Sequence, residues 1–453
     1  MKDKIFITSQ GQIEAINISA GYYETSQLFG ENYVILKDIA YINPKREKPV
    51  FELSEKVPYV GLPETDKGEI QEIKYRPFKE VKGRNVFKKG DILFARIEPS
   101  IFNKKYIYVD EKFDLDFAYT STEFYIIEAK KGVNNKYIYN LLFNDETYNQ
   151  FSGKTTGSTG RRRLDRNTFE NIKIPLPPLE IQNQIVEKMN RALEIKKQKE
   201  KEAKELLESI DDFVLNELGI EYEEVEEKKI FGINLSELGE SKRIDVNFNN
   251  PKFIIQEKQI KNGKYDLVKI GEKFQYINGF AFSSKDYQEE GTKLLTIKNI
   301  TKTGVTFKNV TYLPENYLEK YNTFEIQKND ILFAMTGATI GKACIFESEE
   351  KVLLNQRCGA IRTDTENPLF LYTVLNLDFY KTEIFRNSGG GAQPNISHNE
   401  ILDLEIPLPP LSIQEKISKE VKSRIEKAGI LEKEAREIYE SGKMEVEGII
   451  LGS

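Results

Sequence analysis

Four stretches of the chain carry residue types found in catalytic motifs, and each departs from its motif in spacing or chemistry. "GATIGK" from Gly337 is one residue short of a phosphate loop, and Ala343 stands where a magnesium-binding Ser or Thr is required. "GKTT" from Gly153 would need a glycine at position 148, which is Tyr148. "LPPL" occurs twice but puts Leu176 and Leu179, or Leu408 and Leu411, where adenine methyltransferases use an amide or carboxylate and a stacking aromatic ring. "FYIIEAK" from Phe124 ends in the Glu-x-Lys of metal-dependent nucleases. Asp116, Glu128 and Lys130 would be its reactive set, and this magnesium-dependent nuclease is the alternative reading. The matching stretch "GAIRTD" from Gly359 has neither Glu nor Lys. His398 is the only histidine, which removes paired-histidine metal sites, and we expect it to be a polar residue at a helix start. Cys344 and Cys358 make neither a disulfide framework nor a metal site. No catalytic or metal-ligating set is expected in this chain.

Binding chemistry is better represented. Net charge is −6, yet residues 151–173 hold six basic residues against two acidic ones, and residues 261–310 hold nine lysines against five acids. Local fields of this kind attract phosphates whatever the total charge. In "SGKTTGSTGRRRLDR", Lys154, Ser158, Thr159, Arg161, Arg162, Arg163 and Arg166 combine hydroxyls, flexible glycine backbone and guanidinium groups. Arginine reads guanine edges bidentately, while hydroxyls and lysines hold phosphates. "GGGAQPNIS" offers Gln393 and Asn395 to adenine edges, and Arg96, Thr336, Lys342 and Arg357 complete the candidate DNA-binding set.

Both loops occupy the same place in a tandem duplication. "KKGDILFARIEPS" from Lys88 resembles "QKNDILFAMTGAT" from Gln327, and "IPLPPLEIQNQI" from Ile174 returns 232 residues later as "IPLPPLSIQEKI". "YVGLPETDKGEI" from Tyr59 loosely matches "LLTIKNITKTGV" from Leu294, with Gly68 set against Gly304. "DILFARI", "KYIYVD", "EFYIIEA" and "LLTIKNI" read as strands, and "NKYIYNLLFNDETYNQF" and "PLFLYTVLNLDFYKTEIF" read as helices.

After each proline phrase the apolar residues fall on steps of four and three. Ile417, Val421, Ala428, Leu431, Ala435 and Ile438 mark one seam, interrupted at Arg424. Ile185, Met189, Ala192, Ala203, Leu206, Ile210 and Phe213 mark the other, interrupted at Lys196 and Lys199. The spacing predicts helices over Glu180–Leu218 and Ser412–Glu440, about 58 and 43 Å long, pairing antiparallel. A Ser412–Glu415 capping box would open the second. The prolines hold the chain extended before each helix. The fold class expected is α+β: two mixed α/β domains from an internal duplication, separated by two long antiparallel coiled-coil helices. The expected divisions are 1–177, a spacer helix 178–220, an acidic linker 221–240, a second domain 241–409 and a second helix 410–453.

In their order, the two "IPLPPL" phrases, the two "DILFA" strands, "TGATIGK" from Thr336, "LNQR" from Leu354 and "GGGAQPNIS" resemble the specificity subunit of type I restriction–modification systems. "SKRIDVNFNNPKF" from Ser241 is similar to the opening of such a recognition domain, while "AINISAGYYETSQLF" in the first copy departs from it. The resemblance implies that each domain reads one half of a split double-stranded DNA target and that the helices fix the spacing. It implies no cofactor in this chain. S-adenosylmethionine would sit in two docked methyltransferase subunits, and ATP with magnesium in a motor–nuclease subunit of restricting complexes. Gln182, Ile185, Met189, Gln414, Ile417 and Val421 are the expected docking residues. A cytoplasmic location follows from free thiols and from the lack of an apolar run of membrane length.

Overall fold

In the computed structural model of the chain, residues 33–451 are described, apart from 48, 67, 82, 159–161, 224, 226–229, 233–247, 302–303, 338–339 and 389–394. Thr159, Arg161, Gln393, the segment "SKRIDVN" and most of the acidic linker therefore lie outside the described residues. The packing divides the chain into residues up to 199 together with 433 onward, and residues 200–432. This division cuts both long helices, so neither helix forms a domain of its own.

The first unit is built on β1 (Tyr33–Ile35), β2 (Ala40–Ile42), β3 (Lys56–Val60), β4 (Lys74–Pro77), β5 (Asn85–Phe87) and β6 (Ile92–Ala95). Then come β7 (Tyr106–Tyr108), β8 (Ala118–Thr120), β9 (Phe124–Ala129), helix α1 (Asn135–Leu142), β10 (Thr155–Thr156), β11 (Arg163–Leu164), β12 (Lys173–Pro175) and α2 (Leu179–Glu217). Two four-stranded sheets run in the orders β4-β3-β8-β5 and β2-β9-β6-β7. Only β3 and β8 are parallel neighbours in them.

The second unit repeats this plan. It comprises β13 (Leu267–Lys269), β14 (Gln275–Asn278), β15 (Thr292–Leu295), β16 (Thr311–Leu313), β17 (Glu325–Ile326) and β18 (Ile331–Ala334). These are followed by β19 (Ala343–Ile345), β20 (Val352–Leu354), β21 (Cys358–Arg362), α3 (Pro368–Asn376), β22 (Glu405–Pro407) and α4 (Leu411–Leu451). Its sheets run β16-β15-β20-β17 and β14-β21-β18-β19, again with one parallel pair, β15 with β20. Gly68 and Gly304, paired in the sequence match, both take positive φ in short hairpins, a conformation glycine adopts without a Cβ penalty.

The shared Ile-Leu-Phe-Ala of β6 and β18 is buried throughout. Side chains alternate across a strand, so Ile92 and Phe94 enter one apolar cluster while Leu93 and Ala95 enter another. In the second unit Ile331 and Phe333 divide from Leu332 in the same way. With apolar packing on both faces there is no solvent side, which explains a strand without polar alternation. The preceding aspartates cap the turn: Asp91 accepts from the Lys88 amide and Asp330 from the Gln327 amide, each at 2.8 Å. Both are buried and held by bidentate arginines from different places, Arg46 at 2.5 and 2.7 Å and Arg362 at 2.6 and 2.8 Å.

The proline phrase works as a joint. Its Ile-Pro pair ends a strand, β12 on β1 and β22 on β13. At the fourth residue of each long helix a glutamine folds back. Gln182 Nε2 donates to the Pro177 carbonyl at 2.8 Å while its Oε1 accepts from the Asn134 amide at 2.9 Å. Gln414 does the same with Pro409 at 2.8 Å and Asn367 at 3.0 Å. Asn134 and Asn367 are the N-caps of α1 and α3, so one amide side chain ties proline phrase, long helix and domain helix together. Gln182, Ile185, Gln414, Ile417 and Val421 are thus buried within their own units rather than presented for docking, and Met189 is half-buried.

Both seams pair antiparallel, as their spacing predicts. In the first unit Lys188 meets Glu445 at 2.8 Å and Lys199 meets Glu434 at 2.6 Å, eleven residues forward against eleven back. Lys196, which interrupts the apolar seam, lies over the Tyr439 ring. In the second unit Arg424 Nη1 donates to the Ser209 carbonyl at 2.8 Å and its guanidinium covers Phe213, and Lys416 meets Glu217 at 2.7 Å. Helix α2 ends at Glu217, and the chain turns away at Gly219, with φ +64°, where the Ile220 amide reaches back to the Leu215 carbonyl. Two expectations need correction. Helix α4 starts at Leu411, so Ser412 lies inside its first turn and is not its cap, and it runs eleven residues beyond Glu440. Gln414→Ala should therefore cost about 1–3 kcal/mol in urea unfolding, because two joint groups lose their partner. Ser412→Ala should change it by less than about 0.5 kcal/mol.

Candidate nucleic-acid interface

Each buried Ile-Leu-Phe-Ala strand emerges at a residue whose backbone organises the candidate site. After β6, the Arg96 amide donates to the Glu123 carbonyl at 2.9 Å, and the Arg96 carbonyl accepts from the Leu164 amide at 2.8 Å. Ile97 then bridges to Arg163. After β18, the Met335 amide donates to the Arg357 carbonyl and the Met335 carbonyl accepts from the Ile396 amide, both at 3.0 Å, and Thr336 bridges to Asn395. One position earlier, the Ala95 amide bonds the Lys105 carbonyl at 3.2 Å and the Ala334 amide bonds that of Lys342 at 3.1 Å. The backbone frame is the same in both units.

The side chains on that frame differ. In the first unit Arg163 forms a fork with Glu123, Nε to Oε2 at 2.9 Å and Nη2 to Oε1 at 2.6 Å. Arg162 Nη2 donates to the Thr155 carbonyl at 2.8 Å, and its Nε lies 4.0 Å from Glu98, whose carboxylate also accepts from the Thr155 hydroxyl. The Arg96 guanidinium covers the Tyr125 ring at 4.7 Å. Its Nε is buried with no hydrogen-bond partner among the described residues. Partial burial pulls the Lys154 ammonium below its ordinary pKa, and Ser158 is exposed. In the second unit Arg357 and Asn395 are exposed while Thr336 and Lys342 are half-buried.

The structure therefore gathers Arg96, Arg162 and Arg163 around one strand end, and Thr336, Lys342, Arg357 and Asn395 around the other. Arg166 turns elsewhere, donating to the Ile42 carbonyl at 2.9 Å and to Glu170 at 2.6 Å. Glu98, Glu123 and Lys105 were absent from the sequence-based set. Acidic residues are not sought in a phosphate-binding patch, and only the Lys105–Lys342 match left a trace in sequence, as a lysine opening the strand after each loop.

Two of the three nuclease candidates are held in other contacts. Glu128 is held by Arg46 and Lys88, each at 2.9 Å, and Lys130 donates to the Lys37 carbonyl at 2.8 Å beside the Tyr41 ring. Among the described residues no group of three His, Cys, Asp or Glu could hold a metal. Burial pushes both cysteine thiols up to about 12, so neither is a thiolate at neutral pH. His398 is the first residue of the helix His398–Leu402, behind an N-cap formed by Ser397 with Glu400.

The type I restriction modification DNA specificity domain matches residues 31–208 and again residues 262–440. The chain belongs to that family. It is 26% identical over 347 residues to the type I restriction enzyme MjaVIII specificity subunit of Methanocaldococcus jannaschii, with 73% of each chain covered. It is 26% identical over 457 residues to the EcoAI specificity subunit of Escherichia coli, covering 86% of this chain and 76% of that one. A chain in a structure describing complex assembly and conformational transition of a type I system has the same fold, with a TM-score of 0.57, 19% identity and coverage of 92% and 96%. As a specificity subunit it recognises DNA sequence and is not itself the catalyst.

In this family member Glu128 is a structural ion-pair residue. Burial works to raise its carboxyl, but Lys88 and Arg46 outweigh that and hold it below the ordinary carboxylate range. A depressed folded pKa gives stability above the unfolded value of about 4.3, lost as pH falls through the folded value. Glu128→Gln should therefore lower stability at pH 7 and narrow the gap between pH 7 and pH 3 in thermal unfolding. The parent chain with magnesium should leave supercoiled DNA intact, and cleavage abolished by this change would restore the nuclease reading.

Proposed function

We propose that the two domains read the two halves of a split duplex target, one each, and that the paired helices set the number of unread bases between them. The observation that carries this is the duplicated frame: the same backbone bonds end in different side chains at Arg96, Glu123 and Arg163 and at Met335, Arg357 and Asn395. Two sites of one construction with divergent chemistry suit two half-sites of different sequence. The basic groups of each site supply phosphate contacts, while arginine, hydroxyl and amide groups contact base edges.

Two methyltransferase subunits, carrying S-adenosylmethionine, dock on the helices and modify adenine. In restricting assemblies a motor–nuclease subunit with ATP and magnesium joins them. Docking uses the outward faces near the helix starts, where Leu179 and Leu411 occupy equivalent positions and are 44% and 46% exposed. The complex works in the cytoplasm; among the described residues no helix is long and apolar enough to cross a membrane.

Because α2 and α4 keep a common register, a test of the ruler must lengthen both. Four residues inserted after Lys199 and four after Leu431 add about 6 Å to each helix, or about two base-pair steps. Methylation mapping of the resulting complex should show both half-site sequences unchanged and the spacer longer by about one or two base pairs. An unchanged spacer contradicts the ruler. Loss of the methyltransferase subunits from that complex would place docking at mid-helix instead of at the helix starts.

A further inference from the structure

The matched backbone bonds define which positions of the two domains are equivalent. The residue accepting the amide after the buried strand is Glu123 in the first domain and Arg357 in the second. The residue bridging to the next position is Arg163 in the first and Asn395 in the second. At these two neighbouring positions an acid–arginine fork is replaced by an arginine and an amide.

We propose that these two positions determine which purine each half-site requires, with Arg163, positioned by Glu123, selecting guanine and Asn395 selecting adenine. The inference rests on the reading of the domains as half-site readers and goes beyond it by naming the discriminating residues. Arginine matches the two acceptors of guanine, O6 and N7, and asparagine matches the donor and acceptor of adenine, N6 and N7. Glu123 engages Arg163 through Nε and one terminal nitrogen, so the plane of the guanidinium is set before DNA arrives. In the second domain the position corresponding to Glu123 is Arg357. It is exposed and makes no ion pair among the described residues, so its charge is available to phosphate or base. Both positions hang on backbone bonds that do not involve their side chains, so exchange leaves the frame intact.

Selection from a random-sequence duplex library, using the full-length chain in its methyltransferase complex, tests this. Glu123→Arg with Arg163→Asn should change one base of the first half-site from guanine to adenine, reversing a preference of about 5- to 150-fold. The second half-site and the spacer should stay the same. Asn395→Arg, an exposed substitution, should make the reverse change in the second half-site only. Glu123→Gln should keep the preference for guanine while weakening binding, because an amide orients the guanidinium less firmly. If the parent complex selects a split motif and the exchanged variants select that same motif with equal affinity, the assignment is overturned while half-site reading stands. If the parent complex selects no motif, the reading of function fails first.

Discussion

A four-residue strand with no solvent side governs the rest of each unit. Ile-Leu-Phe-Ala lies between two apolar clusters, so neither its register nor its depth can change without exposing or overpacking a core. In the first unit Phe94 also stacks on Tyr106 with ring centroids 4.3 Å apart and meets Phe151 edge-on. The position after the strand is therefore fixed in space, and its amide and carbonyl hold the two segments that carry the candidate recognition residues. Rigidity in the core becomes precision at the surface. A reading site needs this, because bidentate contacts to base edges tolerate little displacement.

The second constraint is the glutamine joint. A long helix leaving a domain after two prolines would otherwise pivot, since the prolines fix φ but leave the helix-start angle open. Gln182 and Gln414 remove that freedom by using both ends of an amide, one on a proline carbonyl and one on the amide of a domain-helix cap. The bonds bury a polar group that satisfies two backbone groups at once, so the joint is stiff without being apolar. Each reading frame is in turn linked to a helix through its own unit.

The duplication, the two mixed domains and the antiparallel pairing were all legible in sequence. They depend on periodicity and on residue types that chemistry requires. Three things were not. The glutamines of "PPLEIQ" and "PPLSIQ" looked like docking residues, because a polar residue near a helix start gives no sign that a carbonyl five residues earlier and an amide 48 or 47 residues earlier will bury it. Ser412 looked like a cap, since Ser followed by Glu at three residues fits the pattern, but Pro410 rather than Ser412 provides the first acceptor carbonyl, for the Ile413 and Gln414 amides. Glu123 was missed because its importance comes from a partner 40 residues away. Local pattern finds elements; non-local hydrogen bonds decide roles.

Genome-wide mapping of modified adenines, in cells with and without the gene and with its methyltransferase partner present, tests the central claim most directly. One reader per half-site predicts a set of modified adenines that vanishes with the gene and shares a motif of two short, different half-sites separated by a fixed run of unspecified bases. A gene-dependent motif that is continuous, or a modification pattern that does not change with the gene, would contradict it.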